Sequence, residues 1–143
     1  MAHLKNLQLA TKDMIQDKDF TLRLIRQLTQ ALEKLLLGKP EESLMQKELD
    51  FDSLMKDIFK INFEDIASKS KEEIVEIVKE REPKDHADYY EMLGNLFLFH
   101  YRAEGKLDFA DKAKTFYELY LTTSGIFAMP IINRINELKV VLN

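Results

Sequence analysis

The chain has no cysteine and no tryptophan, and it has only four glycines and three prolines in 143 residues. Without cysteine it can form neither disulfides nor thiolate metal sites, which is compatible with a cytoplasmic location. Few glycines and prolines beside many Leu, Glu and Lys residues favour helices over a turn-rich sheet protein.

Long apolar runs are also missing. Leu96–Phe99 is typical of the longest ones, whereas a membrane-spanning helix needs ~20 apolar residues. The first twenty residues hold no continuous apolar segment of the kind that a signal peptide requires. We therefore expect a soluble cytoplasmic protein that does not associate with membranes.

The charge is close to balanced. A formal net charge of -4, with 32% charged residues, gives no electrostatic drive toward DNA, RNA or anionic lipid. No helix-turn-helix pattern follows the basic residues of the first long helix. We therefore expect no nucleic-acid partner.

The length predicts one domain over residues 1–143. Residues 1–16 carry only weakly periodic apolar positions and are interpreted as an arm, either flexible or helical. The first strong helix follows, with Asp17 or Asp19 as its cap and Gly38 as its terminator. Its apolar stripe repeats at intervals of four and three residues: Leu24, Leu28, Leu32 and Leu35.

The middle third predicts short helices. Pro40 suits the first turn of one helix, and a second carries Leu54, Met55, Ile58 and Phe59. The segment from Ile61 to Ser70 predicts a turn and one helical turn. Ser70 and Glu73 have the spacing of a capping box, which opens a helix that ends before Pro83.

The stretch Asp88–Thr123 is the most informative part of the chain, because it predicts two helices joined at Gly105. The first, with Asp85 as its cap, is apolar on nearly every side, so it belongs at the centre of a helical domain. Gly94 within it predicts the close approach of another backbone. Ser124 and Gly125 end the second helix, and Pro130 opens a final one. The fold class is therefore all-α, an irregular bundle of six or seven helices.

This pair of helices resembles a tetratricopeptide hairpin. Tyr90, Leu93, Gly94 and Phe97 match the first helix of that repeat, and Gly105, Leu107 and Ala110 match its turn. The expected aromatic of the second helix comes one register late, as Tyr117 after Ala113. No second copy appears at a 34-residue offset, so the resemblance implies one repeat-like hairpin within a globular domain and not a repeat array.

From about Met14 onward the chain also resembles a family of small, all-helical bacterial proteins of unknown function. The resemblance is carried by the opener DFTLRLIRQLTQALEKLLLGK and by the closing AEGKLDFADKAKTFYELYL. It implies a bacterial all-helical protein and no particular activity.

No catalytic, metal or cofactor signature is present in the sequence. The three histidines, His3, His86 and His100, lack the paired spacing of a zinc or di-iron site, and DFDSLMKD lacks the glycine of a calcium loop. There is neither a nucleophile elbow nor a phosphate-binding glycine loop. We expect a protein that is not an enzyme and that needs no cofactor.

Four residues stand out as candidates for partner binding: Asn95, His100, Tyr101 and Arg102. On a helix crowded with apolar groups, Asn95 and Arg102 either lie on its one solvent-exposed edge or are buried and paired. A position on the exposed edge would place them on the groove with which such hairpins hold peptides. The leading hypothesis is a non-catalytic interaction module that binds a partner segment on a helical groove. The alternatives are a homodimer formed through the arm and the last helix, and an enzyme that uses His100.

Overall fold

The computed structural model describes residues 20–38 and 51–143. These ranges contain seven α-helices and a single 3₁₀ turn, with no strand, which confirms the predicted all-α class. The helices are α1 (20–36), α2 (Phe51–Phe59), α3 (Phe63–Ser68), α4 (Lys71–Lys79), α5 (His86–Glu104), α6 (Leu107–Ser124) and α7 (Met129–Leu142). The predicted arm, the Asp17 or Asp19 cap and the helix opened by Pro40 lie outside the described residues.

Local sequence signals set several helix ends. Ser70 Oγ accepts the amide hydrogen of Glu73 at 3.1 Å, and the Glu73 carboxylate accepts that of Ser70 at 3.0 Å, so the predicted capping box opens α4. Gly105 and Gly125 end α5 and α6 with φ of 73° and 68°, a backbone conformation that other residues rarely adopt.

Two local predictions differ in detail from the structure. The segment predicted as a turn and one helical turn contains the six-residue helix α3, because the side chain of Asn62 accepts the Asp65 amide hydrogen at 2.9 Å and caps it. Asp85 precedes α5 but makes no side-chain cap, since its φ of -100° and ψ of -8° lack the extended geometry of a capping residue. The 3₁₀ turn Pro83–Asp85 leads into α5 instead.

Helix α5 forms the centre of the bundle, as its sequence predicts. Residues 92–98 are all buried, and Phe97 is in ring contact with Phe63 of α3 and with Phe109 and Phe116 of α6. Helix α6 packs along α5 and also against α7. The sequence predicts that another backbone approaches Gly94. In the structure, the atoms nearest to Gly94 belong instead to the side chain of Tyr117.

Helix α1 contributes a second part of the core. Of its predicted apolar stripe, Leu24, Leu28 and Leu32 are 0–8% exposed and Leu35 is half-buried. Burying each large aliphatic side chain contributes roughly 1.5–3 kcal/mol. The buried residues are Leu24, Ile25, Leu28, Ala31 and Leu32. Among the described helices, none combines the length and the apolar character that crossing a bilayer requires.

Candidate functional site

A buried ion pair connects α1 to α7. Arg134 of α7 is only 6% exposed, and its guanidinium donates to both carboxylate oxygens of Glu33, at 2.7 and 2.8 Å. This two-pronged geometry gives the strongest form of an arginine–carboxylate contact. The Glu33 side chain is 35% exposed, so the pair lies at the edge of the core with its cation facing inward.

Asn95 of α5 completes the network. Its side-chain oxygen accepts the hydroxyl hydrogen of Tyr117 at 2.6 Å and a guanidinium hydrogen of Arg134 at 3.3 Å. Its side-chain nitrogen donates to the main-chain oxygen of Thr29 at 3.2 Å and to Glu33 at 3.3 Å. An asparagine side chain offers two donors and two acceptor positions, so all four are used. Four helices, α1, α5, α6 and α7, meet at this side chain.

Arg102, two turns further along α5, holds the C-terminal end of α1. It donates to the main-chain oxygen of Leu36 at 3.1 Å and pairs with Glu137 of α7 at 3.4 Å. The last carbonyls of a helix have no partner within the helix, so this contact satisfies one of them. We call Asn95, Arg102 and Arg134 the α1 clamp, because each contacts α1 from α5 or α7.

The electrostatics of the clamp follow from its burial. Burial raises the pKa of the Tyr117 hydroxyl, which therefore stays protonated and acts as a donor. Burial is the largest single influence on the pKa of Arg134 and would lower it, but the hydrogen bonds and charge of Glu33 together with the contribution of Tyr117 outweigh it, so the pKa is raised. Burial also raises the pKa of nearby Glu91, and the charges of Glu33 and Asp88 add to that rise.

The four residues singled out in the sequence lie on two different sides of α5. Asn95 and Arg102 face α1 and α7, whereas the ring of His100 stacks on Phe63 of α3, with centroids 3.8 Å apart and planes 12° apart. Tyr101 is half-buried. Asn95 is 1% exposed, so of the two alternatives it is buried and paired. Its side chain binds α1 of the same chain and not an exposed groove.

His100 lies in an aromatic environment. Burial lowers its pKa, while Glu104, whose carboxylate lies 3.4 Å from Nδ1, partly opposes this effect. A half-buried, mainly neutral imidazole stacked on Phe63 and near Phe109 is typical of a packing residue. Whether His100, Tyr101 or Arg102 also contacts a separate partner stays a prediction.

A second buried cation ties α3 to α6. Lys112 is 4% exposed, and its ammonium donates to the main-chain oxygen of Ala67 and to Asp108, both at 2.7 Å. It also lies 5.6 Å from the centroid of the Phe97 ring. The Lys112 ammonium thus has its hydrogen-bond acceptors and its counter-charge within the same chain, which indicates a structural role. Within the described ranges, no group of three or more His, Asp or Glu side chains could hold a metal ion.

The turn between α6 and α7 and the first residue of α7 expose three large apolar side chains. Ile126, Phe127 and Met129 are 56%, 79% and 51% exposed. The turn is shaped by Gly125 and by Ser124, whose hydroxyl accepts the amide hydrogen of Ile126 at 3.1 Å. From residue 119 to residue 133 the chain carries no charged side chain. We call Ile126, Phe127 and Met129 the apolar turn.

Several of these features escape prediction from the sequence. Glu33 and Tyr117 have no special spacing that distinguishes them from surface and core residues. Arg134 does leave a signal, because it lies three residues after Ile131 and four before Leu138, on the inward stripe of α7. The apolar turn could have been found as the longest uncharged segment of a chain that is 32% charged.

Comparisons with protein-family models, with curated proteins and with solved structures found no match to this chain. The resemblances to a tetratricopeptide hairpin and to a bacterial family therefore stay predictions, and the function has to be argued from the geometry.

Proposed function

We propose that the protein is a non-catalytic interaction module that docks on a partner protein through the apolar turn. The observation that carries the proposal is the 79% exposure of Phe127 between two other exposed apolar residues. Single exposed apolar residues are common on protein surfaces, but contiguous ones mark interaction sites. An aromatic side chain at such a position supplies much apolar area with few rotatable bonds, as binding anchors do.

The shape of the turn supports this proposal. Gly125 and the Ser124 hydrogen bond fix its start, and Pro130 restricts the backbone at its end. A turn whose backbone is restricted in this way loses less entropy on binding than an unrestricted one, so its apolar area contributes more fully to affinity.

The charge pattern defines the partner. Because the segment 119–133 is uncharged, it offers no ion pair to a charged surface. We therefore expect a partner protein with an apolar pocket and an uncharged rim, in which Phe127 is the central side chain.

A photo-crosslinking amino acid in place of Phe127 tests the proposal. We expect it to trap one partner from the native cell extract, and we expect Ile126→Ser in the same chain to abolish the product. Leu107→Ser is the matched control, since Leu107 is 57% exposed against 56% for Ile126 and lies at the opposite end of α6. A product that survives Ile126→Ser, or that Leu107→Ser removes equally, would refute docking through the turn.

A further inference from the structure

The first residue of α3, Phe63, packs on aromatic rings of the two central helices. Its partners are Phe97, His100 and Phe109, whose ring centroids lie 5.7, 3.8 and 5.8 Å from that of Phe63. The stack on His100 is the closest of these contacts, and His100 is the one partner that can gain a charge. Phe63 is half-buried, so water reaches part of its ring. The start of α3 is thus held by a contact that a proton can alter.

The other end of α3 is held differently. Ile66 is fully buried, and the main-chain oxygen of Ala67 accepts a hydrogen bond from the Lys112 ammonium at 2.7 Å. A helix of six residues is too short to be stable by itself, so each of its ends depends on such contacts. Loss of the Phe63 contacts would therefore release the start of α3 and leave its end attached.

The link between α2 and α3 provides a hinge. Only residues 60–62 separate the two helices. Lys60 has a φ of 67°, a left-handed backbone conformation that residues other than glycine rarely adopt. Hinges commonly consist of a few residues at the ends of helices that absorb a change in backbone angles. A rotation at Lys60 would let Phe63 leave its partners without displacing α2.

The surroundings of His100 favour its neutral form. Burial lowers the pKa of His100, and the carboxylates that oppose this effect, Glu104 and Asp52, do not offset it. Glu104 is shared, because its other oxygen lies 3.5 Å from the Lys106 ammonium, and Asp52 of α2 is exposed to solvent. From α3 and α6 the ring meets aromatic side chains, which carry no counter-charge. The ring therefore takes up a proton more readily once it is released from the stack and solvated.

We propose that the Phe63–His100 stack is a pH-sensitive latch, in which protonation of His100 below about pH 6.5 releases Phe63 and opens the first turn of α3. Opening uncovers the rings of Phe97 and Phe109, which are buried in the closed form. The protein then presents an additional apolar surface in mildly acidic solution. The latch involves neither the α1 clamp nor the apolar turn, so it is independent of the proposed function.

Amide hydrogen exchange in two matched first turns tests the latch. The Ile66 amide donates to the main-chain oxygen of Asn62 at 3.2 Å, and the Ile74 amide of α4 donates to that of Ser70 at 3.1 Å, so each reports the opening of one first turn. Between about pH 7.5 and 5.5 we expect the opening constant at Ile66, corrected for the intrinsic exchange rate, to rise about three- to tenfold, since one pKa unit corresponds to a factor of ten. The opening constant at Ile74 should stay nearly constant.

Two histidine variants identify the group that titrates. His100→Phe keeps an aromatic ring for the stack and should abolish the rise at Ile66. His86→Gln is the matched control, because His86 is the other half-buried histidine of the described ranges. It should leave the rise at Ile66 unchanged.

The latch also has to work in reverse, because protonation and release favour each other by linkage. Phe63→Ala should therefore raise the pKa of His100 toward its ordinary value of 6.5, measured by NMR titration. An opening constant at Ile66 that does not depend on pH, or a rise that Ile74 or the His100→Phe variant shows equally, overturns the proposal. So does an unchanged His100 pKa in Phe63→Ala, and none of these outcomes affects crosslinking through the apolar turn.

Discussion

The ring of Tyr117 occupies the space in which a Cβ atom of residue 94 would lie. A Cβ built on Gly94 would come within 2.5 Å of Cδ1 and 2.6 Å of Cε1 of that ring. The absence of a side chain at this position of α5 thus allows the aromatic ring of α6 to approach closely. The same placement carries the Tyr117 hydroxyl to Asn95, so the close contact positions the donor of the buried network.

Gly94→Ala should destabilise the protein by about 1–3 kcal/mol, although alanine is the better helix former. The added methyl group must displace a fully buried ring. Urea unfolding followed by circular dichroism measures the change. In a Tyr117→Leu background the same substitution should be much less harmful, and an equal loss in both backgrounds would contradict this explanation.

Tyr117→Phe should cost about 1–2 kcal/mol, because it removes a 2.6 Å hydrogen bond in the core and leaves Asn95 one donor short. The ring itself stays in place, so the fold should be preserved. Tyr101→Phe, on the same hairpin but half-buried, serves as the comparison and should change the unfolding free energy by less than about 0.5 kcal/mol.

Arg134→Met and Glu33→Gln should each destabilise the protein, and the double variant should lose less than the sum of the two. Arg134→Met removes a cation that three other helices contact through Glu33, Asn95 and Tyr117, so we expect a loss of about 2–4 kcal/mol. Glu33 is partly exposed, and its loss should be smaller. A double-mutant cycle in urea measures the coupling, and strictly additive losses would show that the pair acts independently.

The contribution of His100 to the stability should fall as the pH drops below about 6.5, the usual pKa of histidine. Burial lowers the pKa of His100 in the folded state, so the unfolded chain takes up a proton first and is favoured as the pH falls. The loss should stop below the folded-state pKa, and its slope for this one group cannot exceed about 1.4 kcal/mol per pH unit.

His100→Phe should remove that slope while retaining the stacking on Phe63. Glu104→Gln should lower the His100 pKa further, because Glu104 raises it more than Asp52, the other group that does so. An NMR titration of the His100 ring protons measures the pKa directly. A pKa at or above 6.5 in the wild-type chain would invalidate the sign of this prediction.

The local structure of the chain is largely predictable because its causes are local. The Ser70–Glu73 box, the glycines that end α5 and α6, and the proline at the start of α7 act within a few residues. The central position of α5 was also predictable, since a helix that is apolar on nearly all sides has to be enclosed. Aspartate is a good capping residue, but Asp85 does not cap α5, because it belongs to the 3₁₀ turn that precedes the helix.

The candidate site was only partly predictable. Asn95 and Arg102 could be identified as unusual on an apolar helix, but two interpretations remained, and the position of α1 decides between them. Glu33 and Arg134 are 101 residues apart, and neither residue carries a local sign of the other. The exposed turn depends on what surrounds it, which a sequence pattern cannot report.

By itself, the sequence determined that this chain is helical, where most of its helices begin and end, and which helix is enclosed. These outcomes depend on apolar periodicity and on capping, and both operate over one or two helical turns. Only the tertiary structure decided that Asn95, Arg102 and Arg134 hold α1, that Tyr117 fits against Gly94, and that Phe127 faces outward. Those outcomes depend on which helices become neighbours, because burial and charge pairing join residues that are distant in the chain.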